Sequence, residues 1–364
     1  MRLQCAWISC PRASAETVNP ATKDPLWVKL VIVALSVFVG LVLCEAAIRL
    51  VAGSPLAQRL PVLEIRANPH RGYEMVPGQT HYMYHHEVHV NALGLRGPEV
   101  EPKRDGETRI LALGDSMTYG QGVADDQTLP HYLGVVLAQR DRRGKPWTVV
   151  NAGHRAYDTR QELALLNELG ERLKPDIVVL FWFWNDLYEI DIEAYYNRLL
   201  PKGRIAFDTK VRIEGWARVE WEAVELLRRS ALIMFVHDAV RAVGAKPLDP
   251  TAVETGLERL ARHLDRLVEI AQRSGFRPLF AVVPDPNVIV GSHQSKSIDA
   301  RAERLALERG IWTVRLIEPL VTLYERTGRM PVVPYDGHYS AEANLGMAEV
   351  TADVVLRAVQ GTAP

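Results

Sequence analysis

From residue 45 onward the chain contains no cysteine: its three, Cys5, Cys10 and Cys44, all lie within or before the first apolar segment. A disulfide framework, a thiol nucleophile and a cysteine-ligated zinc site are thereby excluded from everything after that segment. An excess of one charge is missing too. The 43 lysines and arginines face 44 aspartates and glutamates, so the basic footprint of a nucleic-acid binder is absent and no such partner is expected. Internal repeats and low-complexity runs are also lacking, which argues against solenoids and arrays. With 48% hydrophobic and 24% charged residues in 364, there is apolar material for one large domain plus appendages.

One long apolar run stands out. Within residues 26–53, Leu30 to Cys44 carry no charge and apolar character resumes from Ala46 to Ile48, a length that suits a single bilayer crossing. Residues 1–25 form a short tail before it. A cleaved signal peptide competes with an uncleaved anchor, but its apolar region is normally shorter and ends at a small-residue cleavage site. Positive charge flanks both sides, Arg2, Arg12, Lys23 and Lys29 before and Arg49, Arg59 and Arg66 after. Charge alone therefore does not orient the segment. A short N-terminal flank ahead of a long domain favours a single-pass protein whose main domain is extracytoplasmic, periplasmic or at the cell surface.

Residues 54–108 read as a lead-in, with one or two strands over Thr80–Val90 and a turn at Asn91–Gly97. From Arg109 the pattern changes to short apolar runs separated by amphipathic helices. RILALGDS, TVVNAG, DIVVLFWFWND, PLFAVVP and WTVRLI are five candidate buried strands, and the alternation predicts a parallel sheet with helices on both faces over residues 109–360. Thr159 with Glu162 and Thr251 with Glu254 fit capping boxes, and Gly275 and Gly310 fit C-caps. Between the third and fourth strands lie about ninety residues, more than one crossover helix needs. An insertion over residues 187–250, with a possible hairpin near 203–213 and helices around 217–243, is expected to overhang the strand ends as a cap.

Chemistry gathers at those ends. The first strand runs into Gly114-Asp115-Ser116, where the glycine permits a tight turn and Asp115 can hold it through backbone amides. A serine hydroxyl needs a base, itself oriented by a third group. Asp336-Gly337-His338 follows the fifth strand and offers both. Asn151-Ala152-Gly153 ends the second strand and Asn185-Asp186 the third, so the amides of Ser116 and Gly153 and the carboxamide of Asn185 can surround one oxyanion. His81, His85, His86 and His89 are read as incidental to a strand surface rather than as metal ligands. Trp182, Phe183 and Trp184 are read as core and cleft wall, not as a stacking platform for bases.

These blocks together resemble the SGNH hydrolase superfamily, the GDSL-like lipases and esterases, over roughly residues 109–358. The resemblance implies a flavodoxin-like three-layer α/β/α sandwich with a five-stranded parallel sheet. It also implies Ser116 as nucleophile, His338 as base assisted by Asp336, and Ser116, Gly153 and Asn185 as oxyanion donors. The anchor and the Asn91–Glu99 segment are similar to a membrane-attached subgroup. Three positions depart from the pattern: Phe183 and Ala156 replace glycines, and Asp336 precedes His338 by two residues instead of three, leaving a triad and a Ser/His dyad both open. The implied activity is cleavage of carboxylic esters, O-acyl groups on a glycan, lipid or small molecule, without metal or organic cofactor. Acyl transfer to an extracytoplasmic polysaccharide is the alternative, and a non-catalytic anchored binding protein is the third reading.

Overall fold

The computed structural model describes residues 25–244, 247–291 and 294–361. The chain divides into two compact units between Ala47 and Ile48. Helix α1, Leu26–Ala52, has no buried residue and is long and apolar enough to cross a membrane.

In the second unit β1 (Glu64–Asn68) and β2 (Gly72–Met75) pair antiparallel, and β3 (Thr80–Met83) pairs with β4 (His86–His89). Then come β5 (Thr108–Gly114), the single turn α2 (Ser116–Tyr119), α3 (Leu129–Arg140), β6 (Trp147–Gly153), α4 (Thr159–Leu173) and β7 (Ile177–Trp182). After a 3₁₀ turn at Trp184–Leu187 follow α5 (Ile192–Leu199), β8 (Ile205–Ala206), α6 (Gly215–Arg228), α7 (Ala231–Gly244) and α8 (Pro250–Ser274). The remainder is β9 (Arg277–Val282), α9 (Pro286–Ile289), α10 (Gln294–Leu307), β10 (Trp312–Arg315), α11 (Ile317–Thr327) and α12 (Ala341–Gln360).

The expected five strands form one parallel sheet in the order β10-β9-β7-β5-β6. Their continuous apolar runs suit strands covered on both faces. Leu163, Leu166, Leu257, Leu264 and Ile298 of α4, α8 and α10 fill one face. Leu133, Leu320, Met347 and Val355 of α3, α11 and α12 fill the other. This is the three-layer α/β/α sandwich with flavodoxin-like strand order, and its topological switch lies between β5 and β7, where open sheets place ligands. Register levels the strand ends there: Gly114 pairs with Gly153 on one side and Phe181 on the other.

Three local expectations are corrected. Helix α4 is capped one residue earlier, by Asp158, whose Oδ1 accepts from Gln161 N–H while Gln161 Oε1 accepts from Asp158 N–H. Helix α8 is likewise capped by Asp249 rather than Thr251. A carboxylate has a second oxygen, and Asp158 uses it to accept from Ile190 N–H at 3.0 Å, which a threonine cannot do. The hairpin near 203–213 does not form. Instead Ile205 and Ala206 pair with Ile65 and Glu64 of β1, joining the insertion to the lead-in.

Candidate active site

Ser116 follows β5 directly and opens α2. Asp115 caps that turn: its Oδ1 accepts from Met117 N–H at 2.8 Å. Its Oδ2 accepts from Asn185 Nδ2 at 2.9 Å, so the same buried carboxylate ties the serine loop to the 3₁₀ turn after β7. Burial raises the Asp115 pKa, opposed by the bonds from Met117 and Asn185. Because an ionised carboxylate only accepts, the bond identifies which atom of the Asn185 carboxamide is nitrogen and leaves its second N–H free to aim elsewhere.

Ser116 Oγ lies 2.7 Å from His338 Nε2, and His338 Nδ1 is hydrogen-bonded to Asp336 Oδ1. The two-residue spacing closes because Tyr335 and Gly337 adopt left-handed backbone, φ 59° and 86°, folding the loop so that Asp336 Oδ1 also accepts from His338 N–H at 3.2 Å. Asp336 Oδ2 accepts from Tyr84 Oη and, at 2.8 Å, from Gln121 Nε2. Burial alone would raise the Asp336 pKa, but the hydrogen bond and charge of His338 and the bonds from Tyr84 and Gln121 hold it below the ordinary carboxylate range. With a carboxylate on Nδ1, the Nδ1–H tautomer is favoured and Nε2 is left to accept from the serine. Arg155 Nε in turn donates to Gln121 Oε1 at 2.8 Å, and Arg155 pairs with Asp208 at 2.8 Å.

Gly153 sits against the nucleophile loop. A Cβ there would stand 2.2 Å from Tyr119 N, so glycine is required for β6 to approach α2. Its N–H donates to Asn151 Oδ1 at 3.0 Å and is thus already engaged. In the turn that follows, Ala156 adopts φ 57°. Phe183 is buried and Trp182 fully so, and Trp184 Nε1 donates to Asp285 at 2.9 Å. The histidines of the lead-in do not converge: His81 is buried on Tyr119 Oη at 2.9 Å, whereas His89 is exposed beside Asp125. Burial and the nearby Arg96 and Arg155 push His81 down to about 3.

Sequence reasoning missed Tyr84 and Gln121, since nothing in spacing links them to a residue more than two hundred positions away. It also missed a pair of buried carboxyls behind Asn185. Both oxygens of Glu162 and one of Asp186 have no partner among the described residues, and burial first, then the charges of Asp115 and Asp158 and, on Asp186, of Glu162, push both groups well above the ordinary carboxyl range.

A cleft of about 600 Å³ lies on the Asp336 side of this cluster, lined by Tyr84, Gln121, Arg155 and Asp336 on one side and by Trp221, Arg228, Met234 and Arg241 of α6 and α7 on the other; Ser116 and His338 do not line it.

A model of the GDSL-like Lipase/Acylhydrolase family matches residues 112–321, a range that includes Ser116, Gly153 and Asn185 and stops before Asp336. No curated protein matches the chain. Among solved structures it is similar to the acetyl xylan esterase AlAXEase, at 11% identity over 68% of this chain and 99% of that one, TM-score 0.42. It is also similar to a lipolytic protein of the G-D-S-L family from Veillonella parvula DSM 2008, at 10% identity, 69% and 99% coverage and TM-score 0.41. The psychrotrophic esterase EstA from Pseudoalteromonas sp. aligns at 11% identity, 70% and 99% coverage and TM-score 0.39.

Proposed function

Because the chain belongs to the GDSL-like lipase/acylhydrolase family, we propose that it is a serine esterase acting through an acyl-enzyme on Ser116. The observation that carries this reading is the 2.7 Å approach of Ser116 Oγ to a His338 whose other nitrogen is held by Asp336. His338 Nε2 takes the hydroxyl proton as the serine attacks the ester carbonyl, then returns it to the departing alcohol; water admitted in its place resolves the acyl-enzyme by the same proton relay. Asp336, ionised and held by four donors, stabilises the imidazolium formed in each step.

The oxyanion is received by the Ser116 N–H and by the Asn185 N–H that Asp115 leaves unbound. Gly153 joins as a third donor only by releasing Asn151 Oδ1. The insertion over 187–250 is the cap that selects substrate, supported by the α6 and α7 side chains on the cleft. The N-terminal helix is an uncleaved anchor that holds the catalytic unit outside the cytoplasm, facing O-acyl groups on a glycan or lipid. Intact-mass measurement of membrane-extracted chain tests the anchor, since a cleaved signal would remove it.

The enzyme reading is tested with acetyl and longer-chain esters. Ser116→Ala is expected to lower kcat at least about a thousandfold, with product analysis in the presence and absence of a glycan acceptor reporting where the acyl group goes. Equal turnover by the two proteins sinks the assignment.

A further inference from the structure

Helices α6 and α7 are amphipathic in the reverse of the usual sense. The side of α6 that carries Trp221, Glu225 and Arg228, and the side of α7 that carries Met234, His237 and Arg241, face the cleft. The opposite stripe of α6, at helical spacing, is Trp216, Val219, Leu226 and Leu227, all between 54% and 82% exposed. On α7 the corresponding stripe is Ile233, Val236, Val240 and Val243, between 43% and 90% exposed. A water-soluble helix pair turns such stripes inward, and contiguous apolar surface on this scale marks an interaction face.

What covers it is indicated by where the pair is fastened. Arg49, on the last turns of α1, donates to the carbonyl of Arg229 at the junction between α6 and α7. Nine residues further on, Gln58 N–H donates to Glu225 Oε2 of α6 at 2.9 Å. The last turns of the apolar helix and the chain just after it are thus each bonded to the hairpin. We propose that the α6–α7 hairpin docks on the surface of the lipid bilayer, its apolar stripes sunk roughly 5 to 10 Å into the interface and its polar sides walling the cleft above. The proposal rests on the reading of α1 as an anchor. Residues 215–244 carry four arginines and four acidic residues, so attraction to anionic headgroups is not the driving force and zwitterionic lipid suffices.

The test uses the full chain with Cys5, Cys10 and Cys44 changed to serine, reconstituted in phosphatidylcholine vesicles, with a nitroxide at Leu226→Cys or Val240→Cys. Arg142→Cys, on the exposed turn after α3, is the aqueous control. Labels at 226 and 240 are expected to collide with oxygen and to be shielded from a water-soluble nickel chelate, the reverse of 142. Chelate access at 226 and 240 equal to that at 142, in a chain that resists carbonate extraction, overturns the docking while sparing the anchor. Loss of the chain into the carbonate wash overturns both. Shielding from both reagents with spin–spin broadening means that a second copy covers the stripes, and the bilayer proposal falls.

Discussion

Asn185 is held by a single side-chain bond to Asp115, which makes its remaining N–H a directed donor. Asn185→Ala is expected to lower kcat by about a hundred- to a thousandfold with little change in KM, read from steady-state kinetics. Behind it, Glu162 provides a pH-dependent test of stability. Its folded pKa lies above its unfolded value, so as pH rises past the ordinary carboxyl range the unfolded chain ionises while the fold keeps the proton, and stability declines. Glu162→Gln removes that ionisation. Urea midpoints at about pH 5 and about pH 8 should lie closer together in the variant than in the wild type, Asp186 keeping part of the slope, since a tenfold difference in proton affinity between fold and unfolded chain is worth about 1.4 kcal/mol; a slope unchanged in the variant argues against Glu162 as its source. Ser116 and Asn185 were legible because each follows a strand end in a recognisable block, and His338 because its block stands just before α12, although α11 separates it from β10. Asp336 was ambiguous by spacing, and only the left-handed backbone at Tyr335 and Gly337 explains how two residues do the work of three. Tyr84 and Gln121 left no sequence signal, because a donor to a distant carboxylate looks like any other polar residue.

At the scale of elements, a close approach lies where α8 crosses the turn carrying Asn185. A Cβ on Gly256 would stand 2.7 Å from Leu187 Cβ. Alanine gains up to about 1 kcal/mol of helix propensity over glycine, but overpacking costs about 1–3 kcal/mol. Gly256→Ala should therefore lower the thermal midpoint, and should lower kcat as well if Leu187 moves Asn185 with it; a raised midpoint shows that the turn yields freely. The strands of the sheet were legible because continuous apolar runs have few other homes. The α4 cap slipped by one residue because Asp158 and Thr159 are both good cap residues, and only the second bond to Ile190 decides between them. The supposed hairpin at 203–213 failed because β8 finds its partner in β1, a pairing that local pattern cannot contain.

For the whole molecule, the absence of cysteine from residue 45 onward means the second unit is held together without any disulfide. Its thermal midpoint should be unchanged by dithiothreitol, and a shift of several degrees contradicts that. A parallel sheet followed from five buried runs alternating with helices, and its flavodoxin-like arrangement was implied by the resemblance. The pairing of α6 and α7 with the juxtamembrane segment did not, since amphipathic periodicity reports an apolar face without saying which way it turns.

The partners of His338 are remote along the chain: Ser116 is 222 residues away and, through Asp336, Tyr84 is 252 from its acceptor. Contacts of such separation close late, after the loop entropy between them has been overcome. On the proposed mechanism, a ribosome-bound chain that already displays Ser116 still has no base for it. Ester cleavage, on that mechanism, is a property that a nascent fragment ending before residue 336 does not possess.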